Sequence, residues 1–205
     1  MYHHKNCMKL RKIERRDLPF LFTLKQESWW GTHSTPIINT EDQQKWYESI
    51  PDNSLCMMVD SGTSTIGYYL ISEINWINRM ARISGSVYKE FRKEDIIKNC
   101  CAICLDFAFE ILNLHRIEAE VLESNHPAQI YEIDYMGFKI EGRRRQAVYK
   151  CGRYYDSLVL GLLREEWENQ DRVKSYHGSC NRTFDHGVAD KLIDKSNKFI
   201  LKETN

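Results

Sequence analysis

The chain contains no run of about 18 apolar residues, so it offers no helix able to span a bilayer. It also lacks an excess of either charge. Lys+Arg and Asp+Glu stand at 29 each, which removes the bulk electrostatic reason for nucleic acid or an anionic membrane to be its main partner. The seven cysteines are an odd number, and neither an apolar h-region nor a small-residue cleavage site precedes them in the opening MYHHKNCMKLRK. Reduced thiols in a cytoplasmic compartment are the simplest expectation. No internal repeat and no low-complexity tract is present.

What remains is an ordinary globular composition. With 205 residues, 42% hydrophobic and 12% aromatic, the chain is long enough to bury one α/β core, with a polar tail beyond it. Periodicity divides the sequence. Met8 to Ile13 reads as a strand, and Asp17 followed by Leu18, Leu21, Phe22 and Leu24 as an Asp-capped helix. Thr40 to Gln43 opens a second helix in capping-box form, and Pro51 closes it. Leu55 to Val59, Thr65 to Ile74 and Met80 to Tyr88 read as an antiparallel meander, with turns at Asp60-Ser61-Gly62 and at Asn75 to Arg79.

Lys93 to Leu112 then carries Ile96, Ile97, Cys100, Cys101, Cys104, Leu105, Ala108, Phe109 and Leu112 at a helical period, which makes it the central helix. Arg116 to Leu122 turns Ile117, Ala119 and Val121 inward as a strand. A short helix from Pro127 to Tyr135 and strands at Phe138 to Tyr149 and Ser157 to Leu163 complete the set. Strands alternating with helices predict a layered α/β domain.

One stretch carries more than periodicity. The run YMGFKIEGRRRQAVYKCGRYYDSLVLGLLREEW, from Tyr135 to Trp167, has Gly-Phe, then Glu-Gly-Arg, then Gly-Arg-Tyr-x-Asp, then Leu-Leu-Arg-Glu-Glu-Trp. In that order it resembles the end of GNAT-superfamily acyltransferases, the branch of ribosomal-protein N-terminal, amino-sugar and polyamine acetyltransferases. The resemblance spans Met8 to Trp167. It implies a GNAT fold, a mixed central sheet of about seven strands flanked by about four helices. Residues 1–167 form the acyltransferase domain, and 168–205 a polar, partly helical extension.

The resemblance also implies sites. The acyl-CoA pyrophosphate is expected on the turn between the fourth strand and the central helix, where free N–H groups and the helix dipole favour phosphate. That segment is Arg92-Lys93-Glu94-Asp95-Ile96-Ile97, with Arg92 and Lys93 as candidate phosphate contacts. Asp95 and Ile97 stand where the family has small residues. A side chain there obstructs close approach and a carboxylate repels phosphate, which predicts weakened pyrophosphate binding. Lys89, Arg92, Lys93 and Lys98 could offset the two acids, although mixed charge at a helix start is more often a solvated cap.

The pantetheine amides are expected on the backbone of Ser84, Gly85, Ser86 and Val87, with Asn125 holding the arm and capping the next helix. Relatives carry a carboxylate on the fourth strand where this chain has Arg82, and a guanidinium cannot take the proton of an acceptor amine. Glu73 is the nearest substitute, with an exposed strand carboxylate as its plainer reading. The family tyrosine that protonates the leaving thiolate falls here on Glu132 or Ile133, because the interval from Asn125 to Gly137 is one residue longer. Tyr131 and Tyr135 flank that place and are the candidate acids, if the helix bulges.

Weaker signals surround these. His177, Cys180 and His186 are three borderline ligands where structural zinc needs four, so no metal is expected. Cys100, Cys101 and Cys104 read as core residues, and Asn181-Arg182-Thr183 matters only in a secreted protein. Trp29-Trp30-Gly31-Thr32-His33 lies where relatives form part of the acceptor pocket, and one of its tryptophans could be exposed for stacking. Arg143-Arg144-Arg145 could hold an anionic acceptor.

The expected function is acetyl-CoA-dependent transfer of an acetyl group to a primary amine by direct attack. The amine belongs to a small molecule or a protein N-terminus. Two alternatives stay open: a GNAT-fold binding module without catalysis, and an acyltransferase with a donor other than CoA. A homodimer, through the tail from Glu168, is compatible with all three.

Overall fold

Turn chemistry sets the first half of the sheet. Gly62 takes φ +64° between two strands, and the Asn75 side chain accepts from Asn78 N–H at 2.9 Å to close the next turn. The computed structural model describes residues 8–34, 39–62 and 64–170, and the backbone of 183–184. In chain order the elements are β1 (Met8–Lys12), α1 (Leu18–Ser28), α2 (Thr40–Glu48), β2 (Leu55–Ser61), β3 (Ser64–Asn75), β4 (Met80–Val87) and α3 (Glu94–Asp106). There follow β5 (Arg116–Leu122), α4 (His126–Gln129), β6 (Lys139–Lys150), β7 (Arg153–Leu163), α5 (Arg164–Glu168) and β8 (Thr183–Phe184).

The strands form one mixed sheet in the order β6-β7-β5-β4-β3-β2-β1-β8, parallel only at β4–β5 and β1–β8. The seven expected strands are all present. The eighth is a two-residue pairing of Thr183 and Phe184 with β1, contributed by the extension. The parts of the tail that carry Val188, Leu192, Ile193 and Ile200, and the His177, Cys180 and His186 group, lie outside the described residues. Among the described residues no helix is long and apolar enough to cross a membrane.

Each face of the sheet buries its own helices. Ile117, Ala119 and Val121 of β5, with Leu160 and Leu162 of β7, pack under Ile103, Phe107 and Phe109, in the main core. Fully burying a side chain such as Phe109 stabilises the fold by roughly 1.5–3 kcal/mol. On the other face Ile13, Leu18, Leu21, Cys56 and Met58 form a smaller core, with Trp46, Tyr68 and Leu70 against it. α3 and α4 therefore cover one face, and α1 and α2 the other.

Local details differ from the sequence reading in physically legible ways. Asp17 does not cap α1; it turns back to accept from Glu14 N–H and to hold Arg11 in a two-pronged contact at 2.8 Å, a partly buried charge pair. Asn39, one residue earlier than expected, caps α2 by accepting from Asp42 N–H. The central helix ends in a π-turn over Phe107–Ile111, closed by Leu112 N–H on the Phe107 carbonyl.

Candidate active site

The decisive irregularity is where two parallel strands part. β4 pairs with β5 only from Met80 to Arg82, against Arg116 to Glu118, yet pairs with β3 as far as Val87. Residues 83–87 therefore keep one backbone edge that β5 does not take, an edge that must find partners elsewhere. Ser84 and Gly85 are exposed on it, Ser86 is half-buried and Val87 buried. Gly85 cannot be larger: a Cβ there would lie 2.4 Å from the Tyr69 ring and 2.6 Å from the Tyr68 carbonyl oxygen.

Past β4 the chain turns into α3. The Arg92 guanidinium donates to the Val87 carbonyl at 2.8 Å, so it braces this turn from within. Lys93 occupies the N-cap position of α3 in extended conformation and is exposed. The two residues expected to obstruct phosphate divide. Ile97 is partly buried and packs against the main core, and Asp95 is exposed to water. Of the two only the carboxylate would face an anion at the helix start, and there solvent would screen it.

The helix after Asn125 contains a bulge, the condition on which the sequence spacing made Tyr131 and Tyr135 candidates. α4 runs on into a π-helical stretch, Ile130–Tyr135, and Met136 N–H bonds the Tyr131 carbonyl five residues back. The extra residue is absorbed there, which brings Tyr131 and Tyr135 onto one side with ring centroids 5.6 Å apart. Tyr135 lies near the Glu94 carboxylate at the start of α3, which Lys98 first and then Tyr135 hold below its usual range, and sits under the Lys98 ammonium, 3.8 Å from its ring centroid. Burial, and then the nearby Glu94 charge, push the Tyr131 hydroxyl above its usual range, so it keeps its proton at neutral pH. Glu132 lies between these tyrosines, and burial pushes its carboxyl up to about 7. It acts on the Cys101 and Cys104 thiols, and Cys101 lies 2.9 Å from the Tyr69 hydroxyl behind Gly85.

On the opposite face the segment joining α1 to α2 is tied down at three points. The Asn125 amide caps α4 through Ala128 N–H at 3.3 Å and donates to the Gly31 carbonyl at 2.9 Å. The buried Lys150 ammonium of β6 donates to the carbonyls of Trp29 and Ser34. His33 meets the Ser157 hydroxyl of β7 at 2.7 Å. Trp29 is half-buried beside Lys150, and Trp30 is the exposed member of the pair at 51%.

Beneath this segment runs a row of charge. Glu120 of β5 accepts from Arg82 at 2.8 Å and from Arg144 at 2.6 Å, and Arg82 also reaches Glu73 at 3.5 Å. Glu73 is exposed at a left-handed φ of +54° on the rim of a cleft of about 260 Å³. Trp46, Ile50, Pro51 and Leu70 wall that cleft, and the Lys25 ammonium lies 3.0 Å from the Trp46 ring centroid. Arg143, by contrast, is spent on Glu123 and Asp156 at the edge of the sheet.

The comparisons with known proteins agree with this geometry. Residues 10–159 match the family model described as an acetyltransferase (GNAT) domain. The chain belongs to the GNAT acetyltransferase family. A spermidine N(1)-acetyltransferase of Vibrio cholerae is 29% identical over 168 residues, 78% of this chain and 95% of that one. A putative ribosomal N-acetyltransferase of Bacillus subtilis, YdaF, is 29% identical over 119 residues, 58% of this chain and 59% of that one. Among solved structures, the Vibrio cholerae spermidine N-acetyltransferase with CoA and spermine matches with a TM-score of 0.73 at 25% identity, covering 79% of this chain and 98% of that one.

This GNAT chain is an N-acetyltransferase that uses acetyl-CoA as co-substrate and an amine as acceptor. The residues present fit the donor, because the open edge of β4 ends at the start of α3 and carries the exposed Ser84 and Gly85. The donor supplies an activated acyl carbon and a thiolate leaving group; the chain supplies position and proton transfer. Sequence reasoning singles out β4, Asn125 and the tyrosines as candidates, but not Glu120 or Ser157. A signal for Glu120 exists, since the alternation that turns Ile117, Ala119 and Val121 inward turns Glu118 and Glu120 to the opposite face.

Proposed function

We propose that the acceptor is a primary alkylamine bearing further positive charge, of the polyamine type, acetylated by direct attack on acetyl-CoA. The observation that carries the reading is the cleft beside β3, whose apolar walls Trp46, Ile50 and Leu70 end at the exposed carboxylate of Glu73. Methylene groups lose water against such walls, and an ammonium is held at the carboxylate end. The two spermidine acetyltransferases named for Vibrio cholerae and Escherichia coli lend the same support from outside the chain.

In this reading the backbone of Ser84, Gly85, Ser86 and Val87 bonds the pantetheine amides, Arg92 and Lys93 shape the phosphate end, and Asn125 fixes the arm next to Gly31. Tyr131 or Tyr135 gives its hydroxyl proton to the departing sulfur. Glu73 draws the acceptor in. The free thiols Cys56, Cys100, Cys101, Cys104 and Cys151 suit a reducing, cytoplasmic setting. Self-association belongs to the same proposal. One solved relative is described as dodecameric, and the edge strand β6 exposes Ile140 and Tyr149.

The test is thiol release from acetyl-CoA in the presence of spermidine, n-butylamine, glucosamine or a short peptide with a free N-terminus. Spermidine is expected to turn over with the highest kcat/KM, and Glu73→Gln to raise its KM about two- to fivefold with a small change in kcat, as the loss of one exposed charge contact predicts. Turnover confined to the peptide would sink the polyamine reading and favour a protein N-terminus.

A further inference from the structure

We infer that His33 takes the proton from the attacking amine, held for that purpose by Ser157 and Glu120. The inference rests on the acetyl-transfer reading above and assigns the proton acceptor within the same site. Three observations lead to it. The strand position at which relatives offer a carboxylate holds Arg82, which cannot accept a proton. Arg82 is bound to Glu120, and Glu120 lies 3.6 Å from the His33 ring, so the imidazole is two side chains from the place where β4 leaves β5. His33 itself belongs to the stretch after α1 that Asn125, Lys150 and Ser157 tie to the sheet side through Gly31, Ser34 and the His33 ring.

The buried Ser157 hydroxyl lies 2.7 Å from His33 Nε2 and 3.4 Å from a Glu120 carboxylate oxygen. In the tautomer that serves this role the hydroxyl donates to Glu120 and accepts from Nε2–H, so that the lone pair stands on Nδ1. Nδ1 has no hydrogen bond to any described residue. When it takes a proton, the imidazolium that forms is stabilised through Nε2–H by Ser157 and by the Glu120 carboxylate.

The charged groups that act most on the ring are Glu120 on β5, Arg82 on β4, and Arg144 and Lys150 on β6. Burial lowers the imidazole below its ordinary range, Glu120 opposes that, and the three cations add to it. His33 is therefore neutral at physiological pH and able to accept. In the step, the amine nitrogen bonds to the acyl carbon, the carbon–sulfur bond breaks with its electron pair on sulfur, the amine proton passes to His33 Nδ1 directly or through one water, and the thiolate takes its proton from Tyr131 or Tyr135. His33 is the catalytic residue, and Ser157 and Glu120 position it.

The experiment is a pH–rate profile for wild type, His33→Ala, Ser157→Ala and Glu73→Gln, with acetyl-CoA and three acceptors: spermidine, n-butylamine, and water as read by slow acetyl-CoA hydrolysis. Wild type should lose rate as His33 protonates on the acid side. His33→Ala should lose that limb and about 100-fold or more in kcat, keep its KM for acetyl-CoA, and recover with added imidazole. Ser157→Ala should lower kcat about tenfold and shift the limb, a change that a purely structural role would not produce. A profile and rate unchanged in His33→Ala with all three acceptors, or an acid limb lost in Glu73→Gln instead, would overturn the inference. His33-dependent hydrolysis or butylamine turnover without spermidine turnover would overturn the polyamine reading and leave His33 standing.

Discussion

Glu132 shows how much one side chain can cost where chemistry is close. Its carboxyl is pushed up to about 7 by burial. An acid raised above its ordinary value of about 4.3 binds its proton more tightly in the folded state, so stability is full below that value and is lost as pH rises towards the folded value. The loss is on the order of 3 kcal/mol at most, reduced because the side chain still reaches some water. Glu132→Gln should flatten this dependence. Urea midpoints at about pH 5 and about pH 8 measure it: wild type should lose more between the two than the variant, and equal losses would show that Glu132 is not buried as described.

At the scale of elements, the site is made by two departures from regularity: β4 parts from β5 after Arg82, and the helix after Asn125 takes in one residue as a π-turn. The count from Asn125 to Gly137 made the second legible in the sequence, since one residue too many must go somewhere. The first was not legible from periodicity, because a splayed strand alternates just as a paired one does. The cap positions were misjudged for a common reason. Asp17 and Thr40 both have capping side chains, yet Arg11 claims Asp17 and Asn39 reaches the free N–H first.

The open edge of β4 leads to a direct prediction about that element. Gly85→Ala forces a methyl group against the Tyr69 ring and the Tyr68 carbonyl, which cannot both give way. It should cost about 1–3 kcal/mol in chemical denaturation and weaken CoA binding, because β4 must shift to relieve the contact. Unchanged stability with unchanged affinity would mean that the edge is looser than its packing implies.

For the molecule as a whole, the fold was readable because each level agreed: Ile117, Ala119 and Val121 set the inward face of β5, Leu105 and Phe109 the stripe of the central helix, and Gly62 and Asn75 the turns. The side of the candidate site that holds His33 was less readable. His33, Glu120, Ser157 and Arg144 come from four separate elements, and only the sheet order β6-β7-β5-β4 brings them together. Their pairing answers the puzzle that Arg82 posed: the cation where a base was expected is itself neutralised by a carboxylate one strand away.

The central claim is that this chain binds acetyl-CoA along β4 although Asp95 and Ile97 replace small residues. Isothermal titration of acetyl-CoA into the protein tests it most directly. The account predicts one site per chain with Kd below about 100 μM, about 5.5 kcal/mol of binding free energy, because Ile97 is turned into the core and Asp95 into water. No heat and no thermal shift at millimolar ligand would contradict it.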